Sequence, residues 1–375
     1  MNMWNGKPSD WLILLIASLL LAACSGEKPT IKIGYVGSLT GRTADLGTAG
    51  RNGVQVAVDQ LNAAGGINGR KIELIIRDDG NDAEAAKMVV RELVNTKVEA
   101  ILGPMTSNMA MAMVPVADEA KMLIMGGSVT TNDLTGKDDM FFRAIAPSTV
   151  HAGAMAEFLY ASRGARRVSL IVNMSNKAYT ESWFNNFSQT FGKLGGSVLK
   201  RVDYLSTTET DFIGLSKELM TGAPDAVVLI TNAVDASLFA NQFRLQKSRA
   251  LVATSEWAGT GKLTEIGGAN VEGFIVAQYI DPQSTVPEFI AFRDAYRQRF
   301  QQDVGFPPVI AFNAAQILLR ALASQKPDEH LKQTLLRLRT FSGLQGEQLE
   351  FDDFGDVQTK TFLTEVRNGQ YHLIR

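Results

Sequence analysis

The chain has 375 residues, 45% hydrophobic and 20% charged, with 37 basic against 39 acidic side chains and a net charge of −2. That composition suits a soluble globular protein with material for two domains, and the lack of a basic excess or any Lys/Arg run excludes a nucleic-acid footprint. A single cysteine, Cys24, and three scattered histidines, His151, His330 and His372, leave no intramolecular disulfide and argue against a zinc site or a Ser-His-Asp triad.

Residues 11–23, WLILLIASLLLAA, form an apolar run with the length of a signal-peptide core, too short for an ordinary membrane span. It ends in Leu21-Ala22-Ala23-Cys24 before the polar stretch Ser25–Thr30, which resembles the bacterial lipobox. The expectation is a leader over 1–23, cleavage before a lipidated Cys24, and a tether over 24–30. The positive bias of the first ten residues is weak, since Asp10 offsets Lys7, and an uncleaved anchor helix is the alternative. No further stretch of membrane-spanning length is expected.

From residue 31, β-rich runs alternate with helix-length amphipathic segments, the pattern of an α/β fold with parallel sheets. Strands are predicted at 31–39, 71–79, 99–104 and 121–125, with helices at 48–66, 82–95 and 107–120 between them. After 141–147 the cycle restarts. Strands fall at 166–172, 197–205, 225–231 and 250–254, with helices near 148–163, 178–193, 211–221 and 235–247. The remainder holds a strand at 273–280, helices near 286–302, 309–325 and 328–339, and strand-like runs at 346–352, 360–366 and 370–375. Two such series predict two doubly wound lobes. The late helices must cover the first sheet, which has too few of its own, so the chain is expected to cross back. The methionines between Met105 and Met125 read as adaptable core packing.

Several stretches carry a family resemblance over nearly the whole chain after the leader. GYVGSLTG (34–41), NGVQVAVDQLNAAGGINGRKIELIIRDDGNDAEAA (52–86), AILGP (100–104), SVTTNDLT (128–135), FFRAIAPS (141–148) and VEGFIVA (271–277) resemble leucine/isoleucine/valine-type periplasmic binding proteins. The resemblance implies a type I solute-binding protein of an ABC importer. That means two Rossmann-like doubly wound lobes joined by three crossovers, a Venus-flytrap with ligand in the cleft. The crossovers would fall near Ile145–Ser148, Tyr279–Asp281 and Phe351–Phe354. One lobe would then comprise 31–145 plus 281–350, and the other 148–279 plus 354–375.

By the same resemblance, the Ser107 hydroxyl and N–H hold a ligand α-carboxylate; a plain serine cap is the alternative. Ser128 offers a backbone carbonyl to the ligand ammonium, and Thr130 a hydroxyl and N–H to the carboxylate, although the segment is also ordinary turn chemistry. Tyr179 matches a tyrosine that closes over the ligand, and Glu256 the acidic residue that pairs with the ammonium. A partly desolvated carboxylate needs a cation, and a ligand ammonium serves. Together these residues would read both charges of an α-amino acid. The chain departs from the branched-chain binders at Leu46, which replaces a tryptophan, and at Asn232-Ala233, which replace tyrosines. These smaller residues would admit a larger side chain, such as an aromatic one, or simply repack. Arg42, near the first loop, stands ready for an acidic side chain.

No G-x-G-x-x-G, P-loop, G-x-S-x-G or H-E-x-x-H occurs, so no enzyme, cofactor or metal is expected. The expected partners are an amino acid and an ABC permease with its ATPase. The expected state is a monomer at the periplasm or cell surface, touching the membrane only through Cys24. A sensor docking to a membrane receptor, or a binder of another carboxylate or an amide, is the competing reading.

Overall fold

The computed structural model describes residues 28–374. The leader, Cys24 and most of the tether lie outside the described residues. The first sheet is parallel, with strand order β2-β1-β3-β4-β5. Its strands are β1 (Ile31–Gly37), β2 (Ile72–Asp78), β3 (Ile101–Leu102), β4 (Ile124–Gly126) and β5 (Phe141–Arg143). Helices α1 (Ala44–Ala63), α2 (Ala83–Asn95) and α3 (Ser107–Ala120) connect them. Acidic Asp82 does start α2, its side chain accepting the Ala85 N–H at 2.8 Å.

The second sheet repeats the plan. β6 (Arg167–Asn173), β7 (Ser197–Tyr204), β8 (Ala226–Ile230), β9 (Leu251–Thr254) and β10 (Ile275–Gln278) run parallel in the order β7-β6-β8-β9-β10. Helices α4 (Ser148–Glu157), α5 (Lys177–Lys193), α6 (Phe212–Leu219), α7 (Ala233–Leu245) and α8 (Gly261–Gly267) belong to this half. An antiparallel hairpin, β13 (Phe362–Arg367) and β14 (Gln370–Leu373), extends the sheet from β10. Its turn is Asn368-Gly369, both at positive φ, as a tight hairpin turn of that pair requires.

In both sheets the order reverses beside the first strand, between β1 and β3 and between β6 and β8. The loops leaving these strands therefore diverge and open a crevice at the strand C-ends. The two crevices face each other. That topology, rather than any local motif, positions the site.

Helices α9 (Pro287–Phe300), α10 (Phe306–Ser324) and α11 (Leu331–Leu338) return to the first sheet, α10 lying along α1 and reaching β3 and β4. The close approach needs Gly53, where a Cβ would stand 2.1 Å from the Pro308 carbonyl oxygen. Among the described residues, α10 alone is long and apolar enough to cross a membrane, which the sequence reading did not anticipate. It is apolar all round because it is buried in the core of the first lobe.

Two expected elements differ in form. The helix expected to run to 163 is regular only to Glu157 and finishes as a π-type turn over Phe158–Ser162. The run at 346–352 yields β12 (Gln348–Glu350), paired antiparallel with β11 (Thr340–Ser342) in a separate ribbon.

The chain passes between the lobes three times: after β5, after β10 and before β13. These passages brace one another. Buried Arg143 donates to Asp356 at 2.7 Å, to the Thr131 carbonyl at 2.9 Å and to the Thr135 hydroxyl at 2.6 Å. His151, on α4, bonds the Thr361 hydroxyl at 2.7 Å and meets the Tyr279 ring edge-on at 4.8 Å. One imidazole thus touches the second and third passages while standing just beyond the first. Burial depresses its pKa to about 3, so it is neutral.

Candidate ligand-binding site

The lobes are closed on each other. Arg42 of the first lobe pairs with Asp235 of the second at 2.9 Å and donates to the Thr207 carbonyl at 2.7 Å. Thr260 donates to Asp45 at 2.9 Å, and the Asn132 N–H to the Ser182 hydroxyl at 3.0 Å. Asn108 donates its amide nitrogen to the Ser175 carbonyl at 3.1 Å and its N–H to Asn176 at 3.0 Å.

Between them lies a cavity of about 10 Å³, by that measure room for about one water. Leu46, Met105, Tyr179, Trp257, Tyr279 and Phe306 make most of its wall, with Ser128 and Asn176 as polar members. A solute must enter with the lobes parted. Met105 is in the core, as expected, and also forms part of the cavity wall. It packs against Gly50 and Gly127, where an added Cβ would meet its sulfur at 2.7 and 2.2 Å.

The first lobe contributes the start of α3. Thr106 holds the cap position without a capping side-chain bond, and Ser107 is the first helical residue, so Ser107 is not the cap. The Ser107 hydroxyl lies 3.4 Å from the Thr130 N–H, joining the two loops. The hydroxyl of Thr106 is buried with no hydrogen-bond partner, and that of Thr130 is buried with the Tyr279 phenol near it. At the N-terminus of a helix, with its positive dipole end, such a group suits an anion. The Ser128 hydroxyl donates to the Met105 carbonyl at 2.7 Å, which commits its proton.

The second lobe contributes Glu256, in a short helical turn just past β9 and wholly buried. Its Oε2 accepts from the Tyr179 hydroxyl at 3.0 Å and from the Trp183 indole N–H at 3.1 Å. Its Oε1 has no partner. Desolvation pushes its pKa up to about 7, against the downward pull of its hydrogen bonds. Burial, with Glu256 and Tyr279 nearby, also holds the Tyr179 phenol well above its ordinary range. The Tyr279 phenol, raised likewise by burial and by Glu256, interacts with Thr130 and Tyr179, so it sits between the hydroxyl end of one lobe and the carboxylate of the other.

Of the residues singled out in the sequence, Leu46, Ser128 and Tyr179 line the cavity, Glu256 bonds to Tyr179 from behind, and Ser107 and Thr130 meet at its hydroxyl end. Asn232 and Ala233 do not wall the closed cavity. Asn232 caps α7 by accepting the Asp235 N–H at 2.9 Å and lines a separate crevice, while Ala233 is buried in the second lobe's core. The acidic side chain that Arg42 meets is the protein's own Asp235. Met105, Asn176, Trp257, Tyr279 and Phe306 were missed. Trp257 had a signal in its neighbour Glu256, but Tyr279 and Phe306 arrive from a lobe passage and a returning helix. Among the described residues, no cluster of three His, Cys, Asp or Glu could hold a metal ion.

Two lobes clamped over an internal pocket, with buried unpaired polar groups on both lobes next to its wall residues, define a solute-binding protein. Residues 30–370 match the model of the periplasmic binding protein family, and the chain belongs to that family, whose members bind solutes outside the cytoplasm without transforming them. A relative from Pseudomonas aeruginosa, the leucine-, isoleucine-, valine-, threonine-, and alanine-binding protein, is 25% identical over 366 residues, covering 95% of each chain. The branched-chain amino acid transporter substrate-binding protein LivJ of Streptococcus pneumoniae, solved with isoleucine, superimposes with a TM-score of 0.85 at 23% identity, covering 92% of this chain and 99% of its own. A solute-binding protein of an R. palustris ABC transporter, solved with benzoate, gives 0.83 at 18% identity, covering 92% and 95%.

Proposed function

We propose that this chain is the binding component of an ABC importer for an α-amino acid, delivering it to a permease and its ATPase. The observation that carries this reading is the wholly buried Glu256, one oxygen of which lacks a partner, on the lobe opposite the buried and unpaired hydroxyl of Thr106. A buried polar group without a partner costs about 1–3 kcal/mol, more if charged, so both ends gain from a solute with an ammonium and a carboxylate. Ser107 and Thr130 would take the carboxylate, and Glu256, with the Ser128 carbonyl, the ammonium. Tyr179 would cover the solute. The names of the relatives support an amino acid.

The lobes would comprise 31–145 plus 281–350 and 148–279 plus 354–375, turning about the three passages. The open form exposes a wet cleft. Solute selects the closed form because only that form makes both sets of contacts. The loaded monomer, held to the membrane by a lipid on Cys24, would dock to the permease.

A thermal-shift screen of the twenty common amino acids on the purified chain tests this reading, since ligand stabilises in proportion to the logarithm of its concentration over affinity. A shift with at least one amino acid, lost in Glu256→Ala, supports it; no shift with any defeats it. A second reading, a carboxylate without an ammonium, is favoured by the pKa of Glu256 near 7, which lets the group stay neutral. Under that reading Glu256→Ala retains binding of a simple carboxylate such as benzoate.

A further inference from the structure

Trp257 lines the small cavity and also a crevice of about 180 Å³ between the lobes. By the same measure a water needs only ~10–15 Å³, so the crevice has room for a sizeable chemical group. It is lined from both lobes. Thr40, Arg42 and Asn81 come from the first, and Asn173, Ser206 and Asn232 from the second. Anything seated there would itself bridge the lobes.

Two of these walls carry buried atoms without a hydrogen-bond partner, Asn81 Oδ1 and Ser206 Oγ. The others are committed. Thr40 donates to Asp78 at 2.8 Å, and Asn173 donates to Thr231 at 3.1 Å while its oxygen accepts the Ser175 N–H at 3.0 Å. Asn232 caps α7. Arg42, the only charged residue among the crevice walls, is already matched by Asp235 and the Thr207 carbonyl.

We infer that the solute's side chain passes Trp257 into this crevice and ends in an uncharged hydrogen-bonding group, a carboxamide or hydroxyl, read by Asn81 and Ser206. The inference rests on the amino-acid reading above and goes beyond it to the side chain. Asn81 Oδ1 is an acceptor and needs a donor, and Ser206 supplies either role. A purely aliphatic end would leave both atoms unpaired. Sites built to hydrogen-bond a substrate discriminate against analogues lacking the group far better than apolar pockets discriminate by size. A charged end would find no free counter-charge.

Titration calorimetry on the full chain with two matched pairs tests the inference: L-glutamine against L-norleucine, and L-homoserine against L-norvaline. The polar member of at least one pair is expected to bind about tenfold tighter or more, two new hydrogen bonds being worth roughly that. Ser206→Ala, and Asn81→Gly, which keeps the positive φ of 54° at that residue, should each cut the polar-to-apolar ratio about three- to tenfold. The inference is overturned if the apolar members bind as well as the polar ones, or if both variants leave the ratios unchanged. Binding of norleucine or norvaline with no polar advantage overturns it while sparing the amino-acid reading. No binding by any amino acid removes both.

Discussion

The two lobes share a strand order yet offer opposite chemistry to the cleft. The first lobe presents a helix start and neutral hydroxyls, with backbone N–H groups behind them; the second presents buried carboxylates, Glu256 at the cavity and Asp235 paired with Arg42. Fixed dipoles need no proton and hold their character at any pH. A buried carboxylate is conditional, since desolvation opposes its charge until a cation arrives. Closure is therefore asymmetric in cause. If the solute is an amino acid, as proposed, the first lobe is ready for its carboxylate, while the second becomes ready only as the ammonium enters. Arg42 shows the same rule within the protein, supplying to Asp235 the cation that the solute would supply to Glu256.

The largest test of that asymmetry is Glu256→Ala. Removing one partner of a buried ion pair costs about 3–5 kcal/mol, so amino-acid affinity should fall by about two to three and a half orders of magnitude in calorimetry. If the loss is only a few-fold, the second lobe does not carry the charge recognition.

Next in size is pH. The folded, solute-free pKa of about 7 lies above the ordinary 4.5, so the fold holds a proton that the unfolded chain releases across that interval. Its stabilising effect is full at acidic pH and fades as pH rises through about 7. An amino acid pairs only with the carboxylate, so its affinity should climb about tenfold per unit toward pH 7 and then level off. Glu256→Gln should remove the slope and raise the melting temperature of the solute-free protein at pH 8. A flat affinity profile in the wild type would place the ammonium elsewhere.

On the first lobe, Ser107→Ala and Thr130→Val should each weaken binding about tenfold, as expected for a hydrogen bond to a charged group, with no change in pH slope. A slope altered by either would blur the division of labour between the lobes. The smallest effect belongs to Arg42→Ala. Its side chain is 30% exposed, so the loss should be about two- to fivefold, equal for every solute and diminished by added salt. A solute-specific loss would make Arg42 a contact instead of a latch.

Periodicity made the two strand-helix series, the switch-point loops and the crossing-back readable in advance, because each rests on local pattern and on the need to cover a sheet. Ser107, Thr130 and Glu256 were singled out by resemblance, and the structure places each closely after a strand C-end, where this topology opens its crevice. Trp257, Tyr279 and Phe306 come together from three separate stretches, and the Arg42–Asp235 pair spans 193 positions. No window of sequence contains such contacts. The unpaired state of Asn81 Oδ1 and Ser206 Oγ is equally invisible, since it depends on every neighbour's commitments.

Tyr279 belongs at once to a passage between the lobes and to the wall of the pocket, with His151 against its ring. Evolution cannot retune one without the other. A substitution there that reshapes the pocket also resets how readily the lobes swing, so affinity and turnover through the permease would drift together. The crevice between the lobes carries no such entanglement. Asn81 and Ser206 sit on loops away from the passages, and a lineage could acquire a new diet by changing them while leaving the clamp's mechanics untouched.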